Sequence, residues 1–144
     1  MHFKQHLLKS VMLPLASPIS LVSTVKNPKW HRDEIILALA LYFQADRGSI
    51  DARNHNIIQL SEELNLLPIF TERPDAERFR NPNGVSLKLS NFLAIDPSYP
   101  GKGMASYSQL DKAIFEEFAD DKERLFALAQ QIRSIVHDDA KASP

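Results

Sequence analysis

The stretch from Trp30 to Phe43, WHRDEIILALALYF, restricts the possible folds more than any other part of the chain. From Ile35 to Phe43 every side chain is apolar, with no alternation of period two and neither Gly nor Pro. A run of about four turns that is greasy all round predicts a central helix, buried on every side, around which the rest must pack. Asp33 and Glu34 fall in its first turn, where the helix dipole favours acids, and Gly48 closes the region.

Four further helices are predicted around it. Ile57, Leu60 and Leu64 mark one face of a helix over Asn56 to Asn65, with Leu67 and Pro68 beyond its end. A polar, turn-rich segment from Thr71 to Phe79 follows, with one helical turn expected after Pro74. In Arg80-Asn81-Pro82-Asn83-Gly84, Asn81 suits an N-cap and Pro82 the first helical position. Val85, Leu89 and Phe92 then form the apolar stripe of the third helix. Asp96 to Tyr107, DPSYPGKGMASY, is too rich in Pro and Gly for regular structure and reads as a loop. Ser108 and Asp111 have capping-box spacing ahead of Leu110, Ile114 and Phe118. The last helix, from Asp121 to about His137, carries Leu125, Leu128, Ala129, Ile132 and Val136. The fold class expected is all-α: a compact bundle of about five helices with a functional loop between the third and fourth.

At 144 residues, 44% hydrophobic and 24% charged, the chain is the size and composition of one globular domain. Residues 1–28 read as a poorly structured leader and 29–140 as the folded domain. The apolar run Val11 to Val22 is short and cut by Pro14 and Pro18, so no membrane span is expected, and the same prolines argue against a secretory signal. With no cysteine, disulfide frameworks and thiolate zinc sites are excluded; a reducing, cytoplasmic setting is expected. The net charge of −1 conceals an uneven distribution. Residues 1–32 carry Lys4, Lys9, Lys26, Lys29 and Arg32 without an acid, and residues 78–110 carry Arg78, Arg80, Lys88 and Lys102 against Asp96 alone. Acids dominate from Asp111 onward and are read as a solvated face. A near-neutral chain of this kind can still offer a positive face to a polyanion.

Catalytic and metal motifs are missing. His2 and His6 have i, i+4 spacing but lie in the leader, and His31, His55 and His137 are scattered. No H-E-x-x-H, P-loop, G-x-S-x-G or dinucleotide fingerprint occurs. Asn54-His55-Asn56 lacks the second histidine and the ββα-metal context of an HNH nuclease. No catalytic residue, metal or cofactor is therefore assigned.

Residues 79–107 hold the binding candidates. Arg80, Asn81, Asn83 and Gly84 put a cation and two amides at a helix start, where free backbone N–H groups attract phosphate and an amide can read a base edge. A plain helix cap explains the same residues equally simply. Tyr99-Pro100-Gly101-Lys102 sets two rings beside a glycine and a cation. These rings suit either a charged ligand with an apolar portion or the anchoring of the loop to the core.

Taken in order, Trp30-His31-Arg32-Asp33-Glu34, Phe79-Arg80-Asn81-Pro82-Asn83-Gly84-Val85, Lys88-Leu89, Asn91-Phe92, Asp96-Pro97-Ser98-Tyr99-Pro100-Gly101 and Phe118-Ala119-Asp120-Asp121 form a series. It resembles the sulfur-binding domain that precedes HNH nuclease domains in modification-dependent restriction endonucleases, over about residues 29–137. The resemblance implies a restriction-system module that binds phosphorothioate-modified double-stranded DNA and acts with a nuclease domain or subunit. It places Tyr99 and Pro100 along an apolar cavity for the backbone sulfur. Gly101, Lys102, Ser106, His31, Arg32, Arg80, Asn81, Asn83 and Gly84 would hold the neighbouring phosphates and bases. Alternatives are a reader of another modification or of plain DNA, and a helical protein-interaction module using the same loop.

Overall fold

The structure, a computed structural model, describes residues 26–101 and 105–142, with side chains up to residue 137. Five helices follow in order: α1 (Arg32–Phe43), α2 (His55–Leu66), α3 (Pro82–Ile95), α4 (Gln109–Phe118) and α5 (Lys122–Ala142). No strand occurs among the described residues, so the fold is all-α. The leader expected over residues 1–28 lies almost entirely outside the described residues.

As its composition requires, α1 is the axis of the bundle. Nine of its twelve residues are buried, from Glu34 to Tyr42, so it must be covered on all sides. It packs against α5, α3, α4 and α2, and the core is continuous from Ile35 and Leu39 out to Leu60, Leu89, Phe92, Phe118 and Leu125. Burying each such Leu, Ile or Phe contributes about 1.5–3 kcal/mol.

Each start is set by a short polar residue or its equivalent. Asn81 caps α3, its Oδ1 accepting from Gly84 N at 2.8 Å, with Pro82 at the first position. Ser108 and Asp111 form the expected capping box on α4. At α1 the cap is His31: its Nδ1 accepts from Asp33 N at 3.0 Å, while Glu34 reaches back to His31 N at 2.8 Å. Asn54, the first letter of the Asn-His-Asn triplet, caps α2 and also donates to the carbonyls of Arg47 and Ser49, each at 2.6 Å. The turn beneath it needs Gly48, whose φ of 82° few other residues adopt.

Two ion pairs tie the bundle together from inside. Arg80 Nε and Nη2 bind the two Glu34 carboxylate oxygens at 2.8 and 3.0 Å, with both side chains almost completely enclosed. Lys88 Nζ lies 3.0 Å from both oxygens of Asp111, which has no exposed surface. Asp111 thus departs from the solvated acidic face expected of the C-terminal third, because it serves the α4 cap and Lys88 together.

Candidate nucleic-acid interface

Arg80 occupies the residue before the α3 cap, with a φ of 46° in the left-handed region. That conformation costs a residue with a Cβ on the order of 1 kcal/mol. It is held by what the side chain does inside the fold. Besides Glu34, Nη2 donates to the carbonyls of Pro28 and Lys29 at 3.0 and 3.3 Å. The guanidinium lies 4.3 Å from the Phe79 ring centroid and 5.0 Å from that of Trp30. Its own carbonyl accepts from Ser61 Oγ at 2.7 Å. The expectation that Arg80 meets phosphate directly is therefore corrected: its cation is consumed by a buried carboxylate. Its function is to fix Lys29, Trp30 and the start of α3 against one another.

Arg32 is placed differently, in an ion pair at the surface. Its two Nη groups pair with both Glu117 oxygens at 2.7 and 2.8 Å, and Arg124 binds the same carboxylate at 3.1 Å. The side chain is 42% exposed and shares a single carboxylate with Arg124, so its cation is neither enclosed nor fully neutralised. His31 is exposed, and with Nδ1 acting as acceptor its Nε2 remains available to an outside acceptor. Asn83 is exposed on the first turn of α3; Asn81 and Gly84 are half-buried beside it.

The Tyr-Pro loop leaves the opposite end of α3, about 21 Å away along the fourteen-residue helix. Its root is rigidly held. Asp96 accepts from Tyr42 Oη at 2.6 Å through one oxygen and from Ser98 N and Oγ at 2.9 and 2.7 Å through the other. Burial pushes the Asp96 carboxyl up, but the Tyr42 and Ser98 hydrogen bonds outweigh it and hold the group below its ordinary range. Tyr99 N adds a bond to the Asp96 carbonyl at 3.2 Å.

Beyond that root the rings face solvent. Tyr99 is 37% exposed, and Pro100 and Gly101 are exposed as well. The Tyr99 ring folds over Gly101 so closely that a Cβ there would meet the hydroxyl oxygen at 2.7 Å. Of the two readings open to these rings, anchoring to the core is not the one adopted. Ser106 is exposed on the returning arm of the loop, and Lys102 lies outside the described residues.

Residue-by-residue reading of the sequence missed a groove between the segment before α1, the middle of α3 and the start of α4. Lys29, Trp30, Lys88, Ser108, Gln109 and Leu110 line a cavity of about 640 Å³. Lys88 Nζ is 5.0 Å from the Trp30 ring centroid, so this indole lies against both internal cations. Lys29 is exposed and has no acidic partner among the described residues. The adjacency of Lys29 to Trp30 was the available signal, yet nothing local shows that Lys88 and Ser108 come beside them. Among the described residues no cluster of three metal-ligating side chains exists, and no helix is long and apolar enough to cross a membrane.

Chemically, the two ends of α3 differ: the C-terminal end offers exposed rings over a glycine, and the N-terminal end an unmatched lysine, an available imidazole donor and the amides of Asn81 and Asn83. No protein-family model, curated protein or solved structure matches the chain.

Proposed function

We propose that this chain reads phosphorothioate-modified double-stranded DNA, with the Tyr99–Pro100 pair receiving the backbone sulfur. The observation that carries the reading is that both rings stand exposed on a loop whose root is clamped by Asp96. An apolar surface presented outward on a fixed base is what an atom weakly held by water requires. The ordered motif series, which resembles that of sulfur-binding domains, supports the same reading. The chain acts in it as a targeting module alongside a nuclease domain or subunit, without a catalytic step of its own.

Sulfur is larger and more polarizable than oxygen and a weaker hydrogen-bond acceptor. An oxygen pressed against Tyr99 and Pro100 loses water without gaining a donor, at a cost of roughly 1–3 kcal/mol. Burial of roughly 50 Å² of sulfur surface contributes about 1 kcal/mol in the other direction. Together these give a preference for modified DNA of order 10²–10³, an estimate of about 3 kcal/mol converted to a binding ratio. Phosphate contacts from Lys29, His31, Asn83 and Lys102 supply affinity that does not depend on the modification.

Fluorescence anisotropy with otherwise identical modified and unmodified duplexes tests this. Tyr99→Ala is expected to weaken binding to the modified duplex by about 10²-fold and to the plain duplex by less than about threefold. Its stability should shift by under about 0.5 kcal/mol, since the ring is exposed. Lys29→Ala should weaken both duplexes equally and reduce the salt dependence by about one phosphate contact. Equal losses on both duplexes for Tyr99→Ala would remove sulfur from the account. Absence of binding to either duplex at low salt would remove DNA.

A further inference from the structure

At the C-terminal end of α1, about 18 Å along that helix from the His31 cap, a second cleft is lined by hydrogen-bonding side chains. Its volume is about 260 Å³, enclosed by Gln44, Asn56, Gln59, Glu63, Gln130, Arg133 and His137 above Leu41 and Leu60. Asn56, Gln59 and Glu63 share one face of α2, while Gln130, Arg133 and His137 share the facing side of α5.

Arg133 and Glu63 are only partly used by each other. Arg133 Nε donates to Glu63 Oε1 at 3.1 Å, with both side chains mostly buried. Both Nη groups of Arg133 and the second Glu63 oxygen have no hydrogen-bond partner among the described residues. The Gln59 and Gln130 amides are likewise without a partner there. A wall with a fixed pair of donors beside a fixed acceptor fits a flat ligand that presents acceptors next to an N–H.

We propose that this cleft binds a keto-purine base of the guanine class, Arg133 donating to O6 and Glu63 accepting from N1–H and the 2-amino group on the same edge. Guanine's O6 acceptor lies next to its N1–H donor on one edge, as the guanidinium lies next to the carboxylate in the Arg133–Glu63 pair. Gln59 and Gln130 can turn to present either oxygen or nitrogen, so the charged pair decides which base fits. Adenine sets its 6-amino group against the guanidinium and an unprotonated N1 against the carboxylate, two mismatches that exclude it. Leu41 and Leu60 close the bottom of the cleft but are themselves almost fully buried, so the base is held by its hydrogen-bonding edge. The volume lies below the roughly 300–1,000 Å³ of sites for larger ligands and suits a single base.

The test is an amide-shift titration of the whole 144-residue chain with guanosine 5′-monophosphate and, separately, adenosine 5′-monophosphate. The guanine nucleotide is expected to shift α2 and α5 resonances around the cleft and to saturate, with the adenine nucleotide at least about tenfold weaker. Glu63→Gln, which keeps an acceptor for Arg133, should weaken the guanine nucleotide by about tenfold and leave the adenine nucleotide unchanged. Gln130→Ala, at an exposed position that leaves the core intact, should cost about threefold for the guanine nucleotide. Equal responses to the two nucleotides would assign binding to ribose or phosphate and overturn the proposal. So would shifts elsewhere in the chain, or none at all. Since the cleft shares no residue with the Tyr99 loop or the Lys29 groove, failure here leaves the DNA reading untouched, and the converse holds.

Discussion

The two ends of α3 use their polar and aromatic side chains in opposite directions. At the N-terminal end Arg80 turns inward to Glu34, Phe79 is buried beneath it, and the Trp30 ring lies beside the same cation. At the C-terminal end the acid, Asp96, is the inward group, and the rings of Tyr99 and Pro100 are released to solvent. One end therefore spends its charge on holding the chain together, and the other spends a carboxylate to present apolar surface. A cation within a binding-like motif is no guide to where that cation points. What decides is whether a buried carboxylate elsewhere in the chain requires it.

The contrast is most open to breaking at Arg80. Arg80→Ala leaves the Glu34 carboxylate enclosed and unpaired, and a loss of about 3–5 kcal/mol is expected in urea denaturation. The paired change Glu34→Leu with Arg80→Met removes both charges and should recover much of that loss, although the Pro28 and Lys29 carbonyls still lose a donor. If the single and double variants are equally unstable, the buried pair is not what holds this end of α3.

Asp111 sharpens the comparison, being the second enclosed carboxylate that claims a cation from α3. Asp111→Ala removes the Lys88 pair and the acceptor for Ser108 N at 2.9 Å. Lys88 retains 11% side-chain exposure and a flexible stem, so its ammonium can reach water where the Arg80 guanidinium cannot. The expected loss is accordingly smaller, about 2–3 kcal/mol by the same denaturation measurement. A loss above that of Arg80→Ala would reverse the order of the two pairs.

Local chemistry made most of the helices legible in the sequence. The Asn81-Pro82 start and the Ser108/Asp111 box are written in adjacent letters, and the continuous apolarity from Ile35 to Phe43 admits only a central position. The start of α1 was less visible, since histidine is an unusual cap and Glu34 was read only as a dipole partner, whereas it serves both His31 N and Arg80. The α5 helix also runs on to Ala142, past the His137 where its apolar stripe gave out. The candidate site was legible only in part. Tyr99 and Pro100 stood out by residue type, but their exposure depends on Asp96 being held by Tyr42, 54 positions earlier. Arg80 and Glu34 are 46 apart, and the Arg133–Glu63 pair is 70 apart. Long-range pairing of charges leaves no periodic trace, so it is the part a sequence conceals.

The smallest expected effect comes from the exposed counterpart of these buried pairs, Glu117 between Arg32 and Arg124. The hydrogen bond from Arg32 is the chief reason its carboxyl is held down to about 2; slight burial opposes the shift and the Arg124 contact adds to it. In the unfolded chain the same group titrates near 4.5. A carboxyl depressed on folding stabilises the native state fully above its unfolded pKa and loses that contribution as pH falls through the folded one. Stability assigned to Glu117 should thus be intact above pH 4.5 and decline as the pH approaches 2. The carboxylate is reached by solvent and salt, so the contribution is expected below about 1 kcal/mol and weaker still at high ionic strength. Comparing urea midpoints of the natural chain and Glu117→Gln across that window isolates it. The two curves should converge toward the acid end and separate above pH 4.5, and parallel curves would show that the surface network, unlike the two pairs beneath it, contributes nothing to the fold.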